Sequence, residues 1–80
     1  MKTIHVRYGS LLREQAGIPA ETVQTDADNA AELFQELCRR HCFRYGCGLF
    51  KVVINDEMKS LGSPLNDADT VEFLPPISGG

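Results

Sequence analysis

Hydrophobic and polar positions alternate strictly from Lys2 to Tyr8, with Ile4, Val6 and Tyr8 on one side and Thr3, His5 and Arg7 on the other. A period of two is that of a half-buried strand. Gly9-Ser10 breaks the alternation, and Ser10 is placed to cap a short helix from Leu11 to Ala16. Leu11 and Leu12 of that helix face inward, while Arg13, Glu14 and Gln15 face water. Gly17 ends it and Pro19 prevents its return. Glu21 to Thr25 holds Thr22, Val23 and Thr25, and its β-branched residues with little hydrophobicity predict a second strand, paired with the first and lying at a sheet edge.

The period then changes. Asn29 with Glu32 three residues on reads as an N-cap with its capping-box partner, and a helix is expected from Ala30 to about Cys42. Leu33, Phe34, Leu37, Cys38 and Cys42 form its apolar stripe. Arg39, Arg40 and His41 fall in its last turn, where the helix dipole favours cations. After Gly46 and Gly48 the most apolar strand runs from Phe50 to Asn55, with Phe50, Val52 and Ile54 on one face and Val53 on the other. Residues apolar on both faces predict a central strand, or one that leaves a patch for a partner. Asn55-Asp56-Glu57 turns the chain into a short return strand at Met58-Lys59. Thr70 to Leu74 is the last strand, ended by Pro75-Pro76 because neither proline can donate to a ladder. Two strands, a helix and then further strands predict an α+β domain, one long helix across one mixed sheet, with a short extra helix after strand one. The domain is placed at 1–74 and a flexible Gly-Gly tail at 75–80.

Composition narrows the function. Eighty residues, 42% of them hydrophobic, suffice for one small core and leave little room for an enclosed active site. A net charge of −3 excludes a basic nucleic-acid binder, and no apolar run approaches a bilayer span. Arg7 and Arg13 fall where a signal peptide needs its apolar centre. Three clustered cysteines, an odd number, fit a reducing cytoplasm, which is the expected compartment.

The chain closes on Pro75-Pro76-Ile77-Ser78-Gly79-Gly80. Prolines keep the backbone extended and unpaired, and two glycines without side chains can thread a narrow channel. The group delivered is the Gly80 carboxylate, a poor electrophile that needs activation from outside, for example by ATP. No phosphate-binding loop is present to do so in cis. Cys38, His41, Cys42 and Cys47 are the candidate metal ligands. Their spacing matches no familiar zinc pattern, and cysteine often packs as a small hydrophobe, so no metal is expected.

Three segments carry a family resemblance: Val6 to Gly17, with its Leu12-Arg13-Glu14; Pro64 to Phe73, with Asn66-Asp67-Ala68-Asp69; and Leu74 to Gly80. Together they resemble the small subunit (MoaD) family of molybdopterin synthase, within the MoaD/ThiS ubiquitin-like sulfur carriers. Ala68 stands where the family usually has glycine, which makes a positive φ there less comfortable. The resemblance implies a β-grasp fold and a carrier, not an enzyme. Gly80 would be adenylated and converted to a thiocarboxylate, with Gly79 allowing passage into partner sites. Pro75, Pro76, Ile77 and Ser78, with Leu74 and Val53, would be the partner contacts. The implied partners are a ubiquitin-activating-like adenylyltransferase of the MoeB type, which uses ATP, a sulfur donor enzyme and a larger synthase subunit of the MoaE type. No cofactor would stay bound, and neither nucleic acid nor membrane is expected as a partner. A carrier of the same fold serving thiamine thiazole or cysteine synthesis, and a non-carrier ubiquitin-like interaction module, are the alternatives.

Overall fold

The computed structural model describes residues 1–43 and 51–74, with the side chains of Ser10 and Leu11 left aside. Its elements are β1 (Lys2–Tyr8), α1 (Ser10–Ala16), β2 (Ala20–Thr25), α2 (Ala30–His41), β3 (Lys51–Ile54), β4 (Glu57–Lys59) and β5 (Thr70–Leu74). The five strands form one mixed sheet in the order β2-β1-β5-β3-β4. β1 and β5 run parallel; the other neighbours are antiparallel.

Alternation decides which face of the sheet is dry. Ile4, Val6, Val52, Val71 and Phe73 are fully buried on the inner face, and Leu33, Phe34 and Leu37 of α2 close over them. Phe34 meets Phe73 edge-on at a centroid distance of 5.0 Å, a geometry that aromatic quadrupoles favour. Leu12 brings α1 into the same core with no exposed surface. Cys38 only flanks this core and Cys42 is exposed, so the buried stripe of α2 is shorter than its spacing predicts.

Turn chemistry fixes the joints. Gly17, at φ 79, caps α1 through its N–H to the Arg13 carbonyl. The N-cap of α1 is Gly9, not Ser10, which is already the first helical residue. At α2, the Asn29 Oδ1 accepts from the Glu32 N–H at 2.9 Å, while the Glu32 Oε1 accepts from the Asp28 N–H at 2.9 Å. The reciprocal bond of the expected capping box thus falls one residue earlier, on Asp28. Cys42, at φ 57, caps the other end of α2, so the helix stops at His41. Asn55 and Asp56 both have positive φ, 53° and 69°. They make the two-residue hairpin whose twist suits adjacent antiparallel strands.

The expected edge position of β2 is observed. β3 is an interior strand, flanked by β5 and β4, as its apolar faces predict; the middle position itself goes to β5 through its long-range parallel pairing with β1.

Candidate docking face and tail root

β5 carries the chain to Leu74, and the expected tail contacts Pro75, Pro76, Ile77, Ser78, Gly79 and Gly80 lie outside the described residues. So do Phe50 and Cys47. The root of the tail is therefore the end of β5, and its surroundings follow from register. Leu74 lies opposite Lys51, while Glu72 lies opposite Val53 on one side and Arg7 on the other. Val53 in turn faces Met58 on β4. Side chains two apart on a strand share a face, so Arg7, Glu72, Leu74, Lys51, Val53 and Met58 all stand on the outer, helix-free face. Val53 and Leu74, the two expected contacts within the described residues, are half-buried there. Met58 is 61% exposed, and sequence reading missed it as a surface element. Its signal was available in the short return strand, where it must alternate with Glu57 and Lys59.

Behind the tail root, on the inner side, is a polar cluster that sequence reading also missed. Tyr8, paired with Phe73, donates its hydroxyl to the Glu21 Oε2, and His41 Nε2 reaches the same oxygen at 2.5 Å. One carboxylate oxygen thus accepts from both, which requires a proton on His41 Nε2. Arg40 lies 3.4 Å from the other oxygen. The His41 ring stacks on Phe43 at 5.4 Å, and Tyr8 meets both rings edge-on. Burial pushes the Glu21 carboxyl up, but the hydrogen bonds from Tyr8 and His41, with the charges of His41 and Arg40, outweigh it and hold the group below its ordinary range. Burial, then the hydrogen bond to Glu21 and its charge, push the Tyr8 phenol up; Arg40 opposes them.

This cluster also bears on the metal candidates. His41 is committed to Glu21, Cys38 is half-buried and Cys42 is an exposed cap. Among the described residues, no three His, Cys, Asp or Glu side chains gather as a metal site. None of their helices is long and apolar enough to cross a membrane.

The family model described as "ThiS family" matches residues 6–80. The chain belongs to the ThiS family. Over 80 residues it is 30% identical to the molybdopterin synthase sulfur carrier subunit of Escherichia coli K12, covering 96% of this chain and 99% of that one. This places it with the ubiquitin-like sulfur carriers of the MoaD and ThiS type. Among solved structures, a protein assigned as subunit 1 of the molybdopterin converting factor of Pyrococcus furiosus superposes with a TM-score of 0.79 at 23% identity. The match covers 96% of this chain and 100% of that one. Subunit 1 or 2 in the complex of the two subunits of the molybdopterin-converting factor from Helicobacter pylori superposes with a TM-score of 0.65 at 24% identity, over 98% of this chain and 99% of that chain. These likenesses confirm the β-grasp architecture that the family resemblance implied.

Proposed function

We propose that this chain carries sulfur as a thiocarboxylate on Gly80 and delivers it to molybdopterin synthesis. The observation that carries the reading is the end-to-end likeness to the Escherichia coli sulfur carrier subunit, reinforced by Gly79-Gly80 following two prolines. In this chemistry the Gly80 carboxylate attacks the α-phosphorus of ATP held by a MoeB-type adenylyltransferase, and pyrophosphate leaves. A sulfur nucleophile from a donor enzyme then attacks the acyl carbon, and AMP leaves with the electron pair of the broken C–O bond. The larger, MoaE-type subunit takes up the sulfur. The carrier's own residues would bind and orient: Gly79 adds no side-chain bulk behind the reacting carbon, and Pro75, Pro76, Ile77 and Ser78 would be the tail's contacts with its partners. Val53 and Leu74 supply the apolar contact at the root. The chain acts as a co-substrate and non-catalytic subunit, working in the cytoplasm where its partners and reduced thiols are found.

Intact-mass measurement after incubation with ATP, a MoeB-type enzyme and a sulfide source tests this. The expected result is a gain equal to replacing one oxygen by sulfur, located on Gly80 and lost on deleting Gly79-Gly80. No gain with an activator that charges the Escherichia coli relative would overturn it.

A further inference from the structure

The two edges of the sheet are guarded differently. β4 is three residues long and carries Glu57 and Lys59, the short, charged form that keeps an edge from pairing with another chain. β2 is six residues long, Ala20–Thr25, and holds no lysine, arginine or proline. Glu21 is its one charged residue, and that carboxylate is turned to Tyr8, Arg40 and His41. Register shows which backbone groups of β2 are open. Arg7 lies opposite Ala20, and the Tyr8 N–H donates to the Pro19 carbonyl at 2.9 Å. Main-chain bonding alternates along an antiparallel strand, so Glu21, Val23 and Thr25 bond to β1 while Ala20, Thr22 and Gln24 direct their N–H and C=O groups outward. Above this edge lies α2. Its Glu36 carboxylate accepts from the Thr25 hydroxyl at 2.6 Å, and its Arg40, with 52% of the side chain exposed, stands 3.4 Å from Glu21. The helix thus runs antiparallel to β2, with Glu36 level with Thr25 and Arg40 level with Glu21.

We propose that β2 pairs with β2 of a second copy of this chain, antiparallel about a two-fold axis at Val23, so that two five-stranded sheets join into one. Charge selects this register. Centring on Val23 sets Glu21 of each copy opposite Thr25 of the other, and so brings Arg40 of each copy level with Glu36 of the other. Moving the centre by one residue either way separates that pair by about 7 Å along the strands. Thr22 then lies opposite Gln24 of the second copy, no like charges oppose each other within the strands, and the two residues' main chains supply about four hydrogen bonds. Few apolar side chains enter such a seam, so the dimer is weak, with Kd on the order of 0.1–1 mM. β1 separates β2 from β5, so the tail root stays open and the inference stands apart from the carrier reading.

Sedimentation velocity of the full chain, with amide hydrogen exchange read by NMR over the same concentrations, tests this. The expected result is a monomer–dimer equilibrium in which the Thr22 and Gln24 amides gain about two- to fivefold protection between roughly 10 µM and 1 mM. Thr22→Pro removes an outward donor, which an edge position tolerates, and is expected to raise Kd at least about tenfold with circular dichroism unchanged. Thr22→Lys guards the edge by charge instead and keeps the test decisive where proline disturbs the strand. Arg40→Glu is expected to raise Kd about threefold at low salt and by less at roughly 0.5 M salt. A chain that stays monomeric at about 1 mM, leaving the edge to a different strand or to water, would overturn the proposal. So would dimers that survive in the folded Thr22 variants, or an unchanged Kd for Arg40→Glu.

Discussion

The two ends of β5 are built on opposite plans. At Thr70 the backbone and the Asn55 and Asp69 side chains are bonded to one another. The Asp69 carboxylate, in a residue only 7% exposed, accepts from Asn55 Nδ2 and from the Asn66 N–H, each at 2.8 Å, while Asn55 Oδ1 accepts from the Thr70 N–H at 3.0 Å. The Ala68 N–H reaches the Thr3 carbonyl and the His5 N–H reaches the Asp69 carbonyl, so the corner is stitched to β1 as well. At Leu74 the inner side is tied down by Tyr8, Glu21 and His41, but on the outer side Arg7, Lys51 and Glu72 make no ion pair among the described residues. One end specifies the fold. The other leaves charged and apolar side chains on the outer face, where the proposed carrier function would use them.

Asp69→Ala breaks the first end and should have the largest effect on stability. It removes the acceptor of Asn55 Nδ2 and of the Asn66 N–H at a part-buried corner, and is expected to destabilise the protein by about 2–3 kcal/mol. Urea unfolding measures the loss, and sulfur loading scaled to the folded fraction should be unchanged. A loading defect in the folded fraction would mean the two ends are not independent.

Glu21→Gln tests whether the tail end is held from its inner side. At pH 6 it is expected to cost about 1–2 kcal/mol, since two donors lose a charged acceptor. Glu21 has a folded pKa below its unfolded value. Its contribution is therefore fully present above the unfolded value, roughly 4.3, and is lost as pH falls through the folded one. The stability gap between wild type and variant should close on going from pH 6 to pH 3. A gap that persists in acid would show that shape, not charge, holds Glu21 in place.

Local rules in the sequence reached the inner face and its joints. The β1 alternation, the Asn29 cap and the Gly17 stop each depend on neighbours within a few residues. The candidate contacts Val53 and Leu74 were legible for the same reason, because period two places them off the core. What escaped were contacts between distant residues. β5 takes the centre of the sheet only because it pairs with β1, some 65 residues away. Glu21 and His41 are 20 residues apart, on an edge strand and a helix end, and each reads separately as an ordinary solvated charge. That Arg7 and Lys51 meet no carboxylate among the described residues is likewise a property of the assembled sheet.

Ala68 is the remaining point of tension at the Thr70 end, and relieving it should give the smallest shift. Its φ of 71° lies in the left-handed region, as the glycine usual at this position in the family would suit. An L-residue with a Cβ is destabilised there by roughly 1–2 kcal/mol, whereas glycine is not. Ala68→Gly also loosens the unfolded chain, which offsets about 0.4–1 kcal/mol of the gain. The net expectation is stabilisation by about 0.5–1 kcal/mol, seen as a small rise in the urea midpoint with an unchanged slope. Ala68 is exposed and its N–H bond to Thr3 involves only backbone, so no packing is lost to confuse the reading. Destabilisation instead would show that the turn holds its shape without strain, leaving the two ends of β5 different in pairing alone.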